Sequence, residues 1–372
     1  MQSEKIQFIS PSFPATSLMA EDYEAIIENN WFSNFGPFEK EFSARLAEYI
    51  QNDVQVATAA NATSALMMAM IALLPDVKHG RQEVLMPAFT FAAGAESLIL
   101  LGYTPIFIDI NPDTLQPDIK QASNYILSHA DTVAGILFCN VFGVGSPDIA
   151  LWEQLATENK LPLIIDSAAG FGSRYTDGSP LGSRGDCEIF SFHATKPFAI
   201  GEGGAIASKR GDIIDRIREL SNFGFSKDRT AHAIGINAKL QELNCAIGLR
   251  QLTVLDETLS MRHGLLAEYK KLLVPKGYAF QVNDDQSSVA FVSVIAATQE
   301  IADRYYATLV DSNVEVRRYY SPHLYNHPAI KQKSKLADNL GITDSICSRI
   351  ISLPVHKKIS KETVRTLAEL AP

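Results

Sequence analysis

Positive charge is in short supply: 33 Lys and Arg stand against 42 Asp and Glu, a formal charge of −9 over 372 residues. Such a surface repels nucleic-acid backbones and anionic lipid, so small molecules or other proteins are the expected partners, with no nucleic acid and no membrane. Cysteine is scarce as well. Cys139, Cys187, Cys245 and Cys347 lie far apart with no Cys-x-x-Cys pair, and His323, His327 and His356 have no thiols at zinc-like spacing. Free buried thiols in a reducing cytoplasm, and no metal, are the expectation. The start, Met1-Gln2-Ser3-Glu4-Lys5-Ile6, lacks the basic, apolar and small-residue regions of an export signal. One apolar stretch, Ala57 to Leu74, raises the question of a membrane span. Asn61, Thr63 and Ser64 near its start and Pro75-Asp76 after its end describe a capped, buried helix better. There is no repeat with a period of about 20 to 50 residues. Nor does a Gly-x-Gly-x-x-Gly turn follow the first strand, as a dinucleotide-binding oxidoreductase requires.

What the chain does have is 46% hydrophobic residues, enough for a substantial core. Val54–Ala57, Glu83–Met86, Thr104–Asp109, Val133–Phe138 and Pro162–Asp166 read as strands, with helical patterns at Ala65–Leu73, Ala92–Leu101 and Pro147–Asn159. Continuous apolar strands are covered on both faces, and their alternation with helices predicts βαβ units with ligands at the carboxyl ends of the strands. Asp166 sits at such an end. After Gly204-Ala205-Ile206-Ala207 the pattern changes. A long helix from about Gln241 toward Tyr269, strands at Val289–Ile295 and Val314–Tyr319, and a helix at Gln299–Asp311 predict a smaller C-terminal α/β domain.

The segment Phe190-Ser191-Phe192-His193-Ala194-Thr195-Lys196-Pro197, followed by Gly201-Glu202-Gly203-Gly204, delivers Ser, His and Lys into a glycine-rich turn. A lone lysine after a strand is ordinarily a solvated charge. Here Asp166 stands at another strand end, and an amine and a carboxylate at neighbouring ends suit one bound ring. Pyridoxal phosphate needs both: an amine for the Schiff base and a carboxylate against the pyridine nitrogen. Thr58-Ala59-Ala60-Asn61-Ala62-Thr63-Ser64 opens a helix directly after a strand, offering unpaired N–H groups to a phosphate.

These segments, with Asn34-Phe35-Gly36-Pro37, Pro87-Ala88-Phe89-Thr90-Phe91, Asp166-Ser167-Ala168, Gly235-Ile236-Asn237, Ala246-Ile247-Gly248-Leu249 and Leu353-Pro354, resemble the DegT/DnrJ/EryC1/StrS family of nucleotide-sugar aminotransferases over nearly the full length. The resemblance implies the aspartate-aminotransferase-like fold, fold type I: a large αβα sandwich domain with an N-terminal arm over 1–245 and a small α/β domain over 246–372. It implies that Lys196 carries pyridoxal 5'-phosphate and that Asp166 pairs with the pyridinium nitrogen. Phe91 would stack on the ring, or else pack in the core. Thr63, Ser64 and Ser191 would hold the phosphate, joined by Asn237 from the other subunit of a homodimer. His193 either lines the site or hydrogen-bonds within its turn. Trp31, Phe35, Arg317, Arg318, Tyr319 and Tyr320 are candidates for substrate contact, against packing of an N-terminal arm for the first two and a solvated edge strand for the Arg-Arg-Tyr-Tyr run.

The departures matter as much. Gly170 stands where many members carry Gln or His, Asn140-Val141-Phe142-Gly143 replaces the frequent His-Leu-Tyr-Gly, and Ser221 replaces Arg ahead of Asn222-Phe223-Gly224. Lys196 is retained where a deoxygenating branch has His. The implied reaction is amino transfer from L-glutamate to C4 of a dTDP-linked 4-keto-6-deoxyglucose, giving a 4-amino-4,6-dideoxy sugar nucleotide for a surface polysaccharide such as an O-antigen, or for natural-product glycosylation. The alternatives are amination at C3 of a 3-keto isomer, and a catalytically silent regulator that binds the cofactor.

Overall fold

The computed structural model describes residues 5–226 and 228–372; Met1–Glu4, where the reading for an export signal begins, lie outside the described residues. Eleven strands are formed among the described residues: β1 Gln55–Ala59, β2 Glu83–Pro87, β3 Thr104–Ile108, β4 Val133–Cys139, β5 Leu163–Asp166, β6 Cys187–Ser191, β7 Gly204–Ser208, β8 Ala279–Phe280, β9 Val292–Ile295, β10 Lys335–Leu336 and β11 Ile350–Leu353. Eight of them make one sheet in the order β1-β7-β6-β5-β4-β2-β3-β10. Only β7 runs against its neighbours. The parallel strands are those whose apolar runs are continuous, because helices cover both faces of the sheet.

The helices that matter for the site are α1 Thr16–Glu28, α2 Pro37–Ile50, α3 Ala62–Leu73 and α4 Ala92–Leu100. Along β4, Ile136 and Phe138 enter the core on one face, while Ala134 and Leu137 enter the core on the other. Trp152 is buried against Phe138, with ring centroids 5.1 Å apart. Truncating such a side chain to Ala costs about 3–5 kcal/mol. No described helix is long and apolar enough to cross a membrane, and the Ala57–Leu74 stretch divides into β1 and the buried face of α3.

The C-terminal half departs from the periodicity in two places. Where one long helix is expected after Gln241, two form, Glu242–Leu252 and Leu255–Leu273. The break falls at Thr253-Val254, where the Thr253 hydroxyl donates to the Arg250 carbonyl at 2.7 Å and competes with the backbone ladder. Val314–Tyr319 is not a strand. It holds single bridges, Val314 with Ile6 and Arg317 with Ser352, while β9 pairs with β11 and β8 in a three-stranded antiparallel sheet. That sheet and the helix Gln299–Asp311 enclose a separate core around Tyr269, Tyr305, Val294 and Ile351.

Candidate active site at the carboxyl edge of the large sheet

Strand register collects the site. Cys139 is level with Asp166, Asp166 with Ile189, Ser191 with Gly204, and Gly204 with Ala59, so the ends of β4, β5, β6 and β1 form one rim. Gly204 has no room for a side chain, because a Cβ would stand 2.8 Å from the Ala62 backbone nitrogen. The missing side chain lets the first turn of α3 close onto β7.

Asp166 is 8% exposed and accepts one hydrogen bond, from the Ala168 N–H at 2.9 Å to Oδ1. Burial pushes its carboxyl above the ordinary range, opposed by that N–H and by the Lys196 charge. Lys196 follows the turn after β6, anchored by its N–H on the His193 carbonyl at 2.9 Å. Burial pulls its amine below the ordinary lysine range, while Asp166 and Cys139 hold it up. The Lys196 Nζ has no hydrogen-bond partner among the described residues. An amine and a carboxylate that act on each other through space, each short of hydrogen bonds, leave a place for a ligand with complementary groups.

The end of the rim where the sequence predicts a phosphate is equally specific. Asn61 caps α3, accepting from the Ser64 N–H at 2.8 Å, and the N–H groups of Ala62 and Thr63 have no carbonyl within the helix. Thr63 is exposed there, whereas the Ser64 hydroxyl donates to the Asn61 carbonyl at 2.8 Å. Ser191 is buried and its Oγ accepts from the His193 N–H at 3.3 Å. His193 is held within its turn: Nδ1 accepts from the Thr195 N–H at 3.2 Å and lies 2.9 Å from Thr195 Oγ1. That arrangement leaves the ring proton on Nε2, 3.6 Å from Glu202.

Phe91 precedes α4 and is 64% exposed, which removes core packing as its role. It shares a cleft of about 690 Å³ with Arg317, Arg318, Tyr319 and Tyr320. Arg317 pairs with Glu315 and lies 5.5 Å from the Phe8 ring, and Tyr319 packs on Phe8 and Phe291. Trp31 and Phe35 are not brought to this cleft. Trp31 bonds the Asn34 carbonyl and stacks under Lys40, and Phe35 lies beside Val54–Val56, at the far end of β1. Asn237 is exposed and accepts from Lys239 at 2.6 Å, next to Ala238, whose carbonyl takes the Ala60 N–H at 2.7 Å.

Two groups at the rim escaped the sequence reading: Thr90 and Cys139, which meet side chain to side chain at 3.0 Å. Tyr320, a candidate for substrate contact, has its hydroxyl raised well above the ordinary range by burial, with the Asp166 charge adding to the rise. The place of Thr90 beside Phe91 was the available signal; nothing local marks Cys139. Behind the rim, Glu188 of β6 is fully buried and accepts from Ser167 Oγ at 2.5 Å, Tyr175 at 3.1 Å, Asn140 at 3.3 Å and the Gly182 N–H at 2.5 Å. Asn140 also donates its N–H to the Asp166 carbonyl at 2.9 Å, so this network clamps the strand end that carries Asp166. At Gly170, a Cβ would meet the Leu181 side chain at 2.6 Å, so any larger residue there requires Leu181 to shift.

A solved structure from Bacillus cereus ATCC 10987, assigned as a PLP-dependent aminotransferase, matches with a TM-score of 0.92 at 30% identity, covering 99% of this chain and 100% of that one. The fold is that of the PLP-dependent aminotransferases, and pyridoxal phosphate is the cofactor that the rim residues fit. The chain belongs to the DegT/DnrJ/EryC1/StrS aminotransferase family, matched over residues 16–370. It is 43% identical to protein Rv3402c of Mycobacterium tuberculosis over 97% of this chain and 88% of that protein. It is 30% identical to the dTDP-4-amino-4,6-dideoxy-D-glucose transaminase of Shigella dysenteriae over 96% of each.

Proposed function

We propose that this aminotransferase moves an amino group from L-glutamate to C4 of a dTDP-linked 4-keto-6-deoxyglucose, in the cytoplasm and as a homodimer. The observation that carries the reading is the buried Lys196 amine acting through space on the buried Asp166, at a rim where Thr90, 3.0 Å from Cys139, also lines the wide cleft of Phe91, Arg317, Arg318 and Tyr319. The name of the Shigella relative supports the nucleotide and the position of the amine.

Pyridoxal phosphate, when bound, supplies the amino-group carrier and the electron sink. The chain supplies the rest. Asp166 holds a proton at the ring nitrogen, and its orientation is fixed by the Ala168 N–H and by the Asn140 bond to its carbonyl. Lys196 moves the substrate proton, acting as base and then acid, with an amine that burial has brought closer to neutrality. Phe91 would cover one face of the ring, and Thr63, Ser64 and Ser191 would hold the phosphate with the first N–H groups of α3. Asn237 of the partner subunit would add one more hydrogen bond there. The exposed apolar residues around that loop, Phe223, Phe225 and Ile234, support a surface that pairs with a second copy.

The test is turnover of a panel of 3-keto and 4-keto sugar nucleotides with L-glutamate, with the aminated carbon read by NMR. Amination at C4 of the dTDP substrate is expected. An amine at C3, or no turnover with any member of the panel, overturns the reading.

A further inference from the structure

Arg262, on the helix Leu255–Leu273, is 9% exposed, and no carboxylate bonds to it among the described residues. Its Nη1 donates to the carbonyls of Val289 at 2.9 Å and Val355 at 3.0 Å, with Ala290 O at 3.4 Å, and its Nε has no partner. Burial lowers the guanidinium to about 10, which still leaves it charged at neutral pH. A buried charge met only by carbonyl dipoles is costly, and the cost is relieved when a counter-ion arrives.

The exposed part of Arg262 opens on a cavity of about 450 Å³ that has Lys196 on its wall. The same cavity is lined by Phe8, Phe13, His356 and Lys357. The other cations there are engaged: Arg250 is paired with Asp22 at 2.8 and 2.9 Å, and Lys357 donates to Ser12 Oγ at 2.9 Å. Glu257, also on the wall, is exposed and forms no ion pair with Arg262. Arg262 is therefore the buried cation of this cavity that lacks an anionic partner.

We propose that Arg262 binds a carboxylate of the amino-acid donor and so holds the donor across the cavity from Lys196, an inference that rests on the aminotransferase reading and not on which sugar is aminated. Two carriers of anionic oxygen enter the reaction, the donor and the diphosphate of the sugar nucleotide. One buried guanidinium with a single open face matches one carboxylate, whereas a diphosphate carries two charges and suits an open cleft with several cations.

The experiment separates the half-reactions by following the visible absorbance of the cofactor-loaded protein. Arg262→Gln is expected to raise the L-glutamate concentration at half-conversion about 30-fold or more, the loss of one charge-assisted pair, while Arg262→Lys recovers part of it. Conversion driven by the keto-sugar nucleotide keeps its half-saturation. Because Arg262 also ties backbone carbonyls together, a second variant leaves it in place: Ala290→Glu puts a competing carboxylate on the cavity wall and is expected to weaken L-glutamate by a similar factor. Succinate, which cannot react, reports on the cavity by calorimetry even if L-glutamate is not the donor; its binding is expected to fall at least tenfold in either variant. Unchanged donor and succinate affinity in folded Arg262→Gln or Ala290→Glu protein overturns the proposal. So does weakening confined to the sugar-nucleotide half-reaction.

Discussion

Asp166 and Glu188 are both buried carboxylates on adjacent parallel strands, 8% and 0% exposed, yet they are satisfied in opposite ways. Glu188 receives four donors from Ser167, Tyr175, Asn140 and Gly182, whereas Asp166 receives one backbone N–H and faces an amine. Burial raises both carboxyls, but the protein meets the cost with its own dipoles in one case and leaves it for a ligand in the other. On the function proposed above, the difference separates a carboxylate that holds the fold from one that does chemistry.

The sharpest way to break that comparison is at the amine. Lys196→Ala is expected to cost at least about 10⁴-fold in turnover, the upper range for a lost proton-transfer group, with the far-ultraviolet circular dichroism unchanged. Asp166→Asn comes next, with turnover down about 10²- to 10³-fold, the scale of one lost preorganised electrostatic contact. Cofactor-free Asp166→Asn protein melts no lower than the parent, because a buried, sparsely bonded charge has been removed. Glu188→Gln reverses the pattern: its amide turns donors toward donors, so unfolding free energy drops by about 3 kcal/mol in denaturant titration while turnover of the folded fraction changes little. If Asp166→Asn unfolds the protein and Glu188→Gln silences it, the assignment of roles is wrong.

A pH series sharpens the same contrast. Burial pushes Glu188 up to about 7 from its ordinary value of 4.5. Between those values the folded chain keeps a proton that the unfolded chain has released, so stability falls as pH rises through the window and levels off above it. The loss is roughly 3 kcal/mol across the window, and Glu188→Gln is expected to flatten it in urea titrations from pH 4.5 to 8. The smallest effect falls on the outer face. Phe91→Ala is expected to lower cofactor affinity about tenfold, one aromatic contact, and to shift stability by less than about 0.5 kcal/mol, since the ring is mostly exposed.

Much of this was legible in the chain. The apolar runs of β2, β4 and β5 show themselves because both faces of a parallel sheet are dry, and Asp166, Ser191 and Lys196 stand out because they interrupt that dryness at strand ends. Less visible were features that depend on distant partners. Thr253 breaks a helix that its neighbours would continue, and Val314–Tyr319 has strand composition but no continuous partner. Glu188 sits in an apolar run as an anomaly whose meaning appears only when Ser167, Tyr175 and Asn140 converge on it. Nor does the glycine at 170 show in sequence that the Leu181 side chain packs where its Cβ would stand.

The order of the sheet also sets a timetable for synthesis. β1 is made first but pairs only with β7, Gln55 with Ser208, and the N-terminus of α2 takes its cap from Glu242, which receives the Phe38 N–H at 2.8 Å and lies 204 residues further on. A chain emerging from the ribosome therefore carries the turn between β1 and α3 unsupported until the lysine-bearing segment has followed it out. A chain that stops before Gly204 has its carboxylate and its lysine on the paired ends of β4, β5 and β6, but lacks the strand that joins β1 and its helix terminus to them.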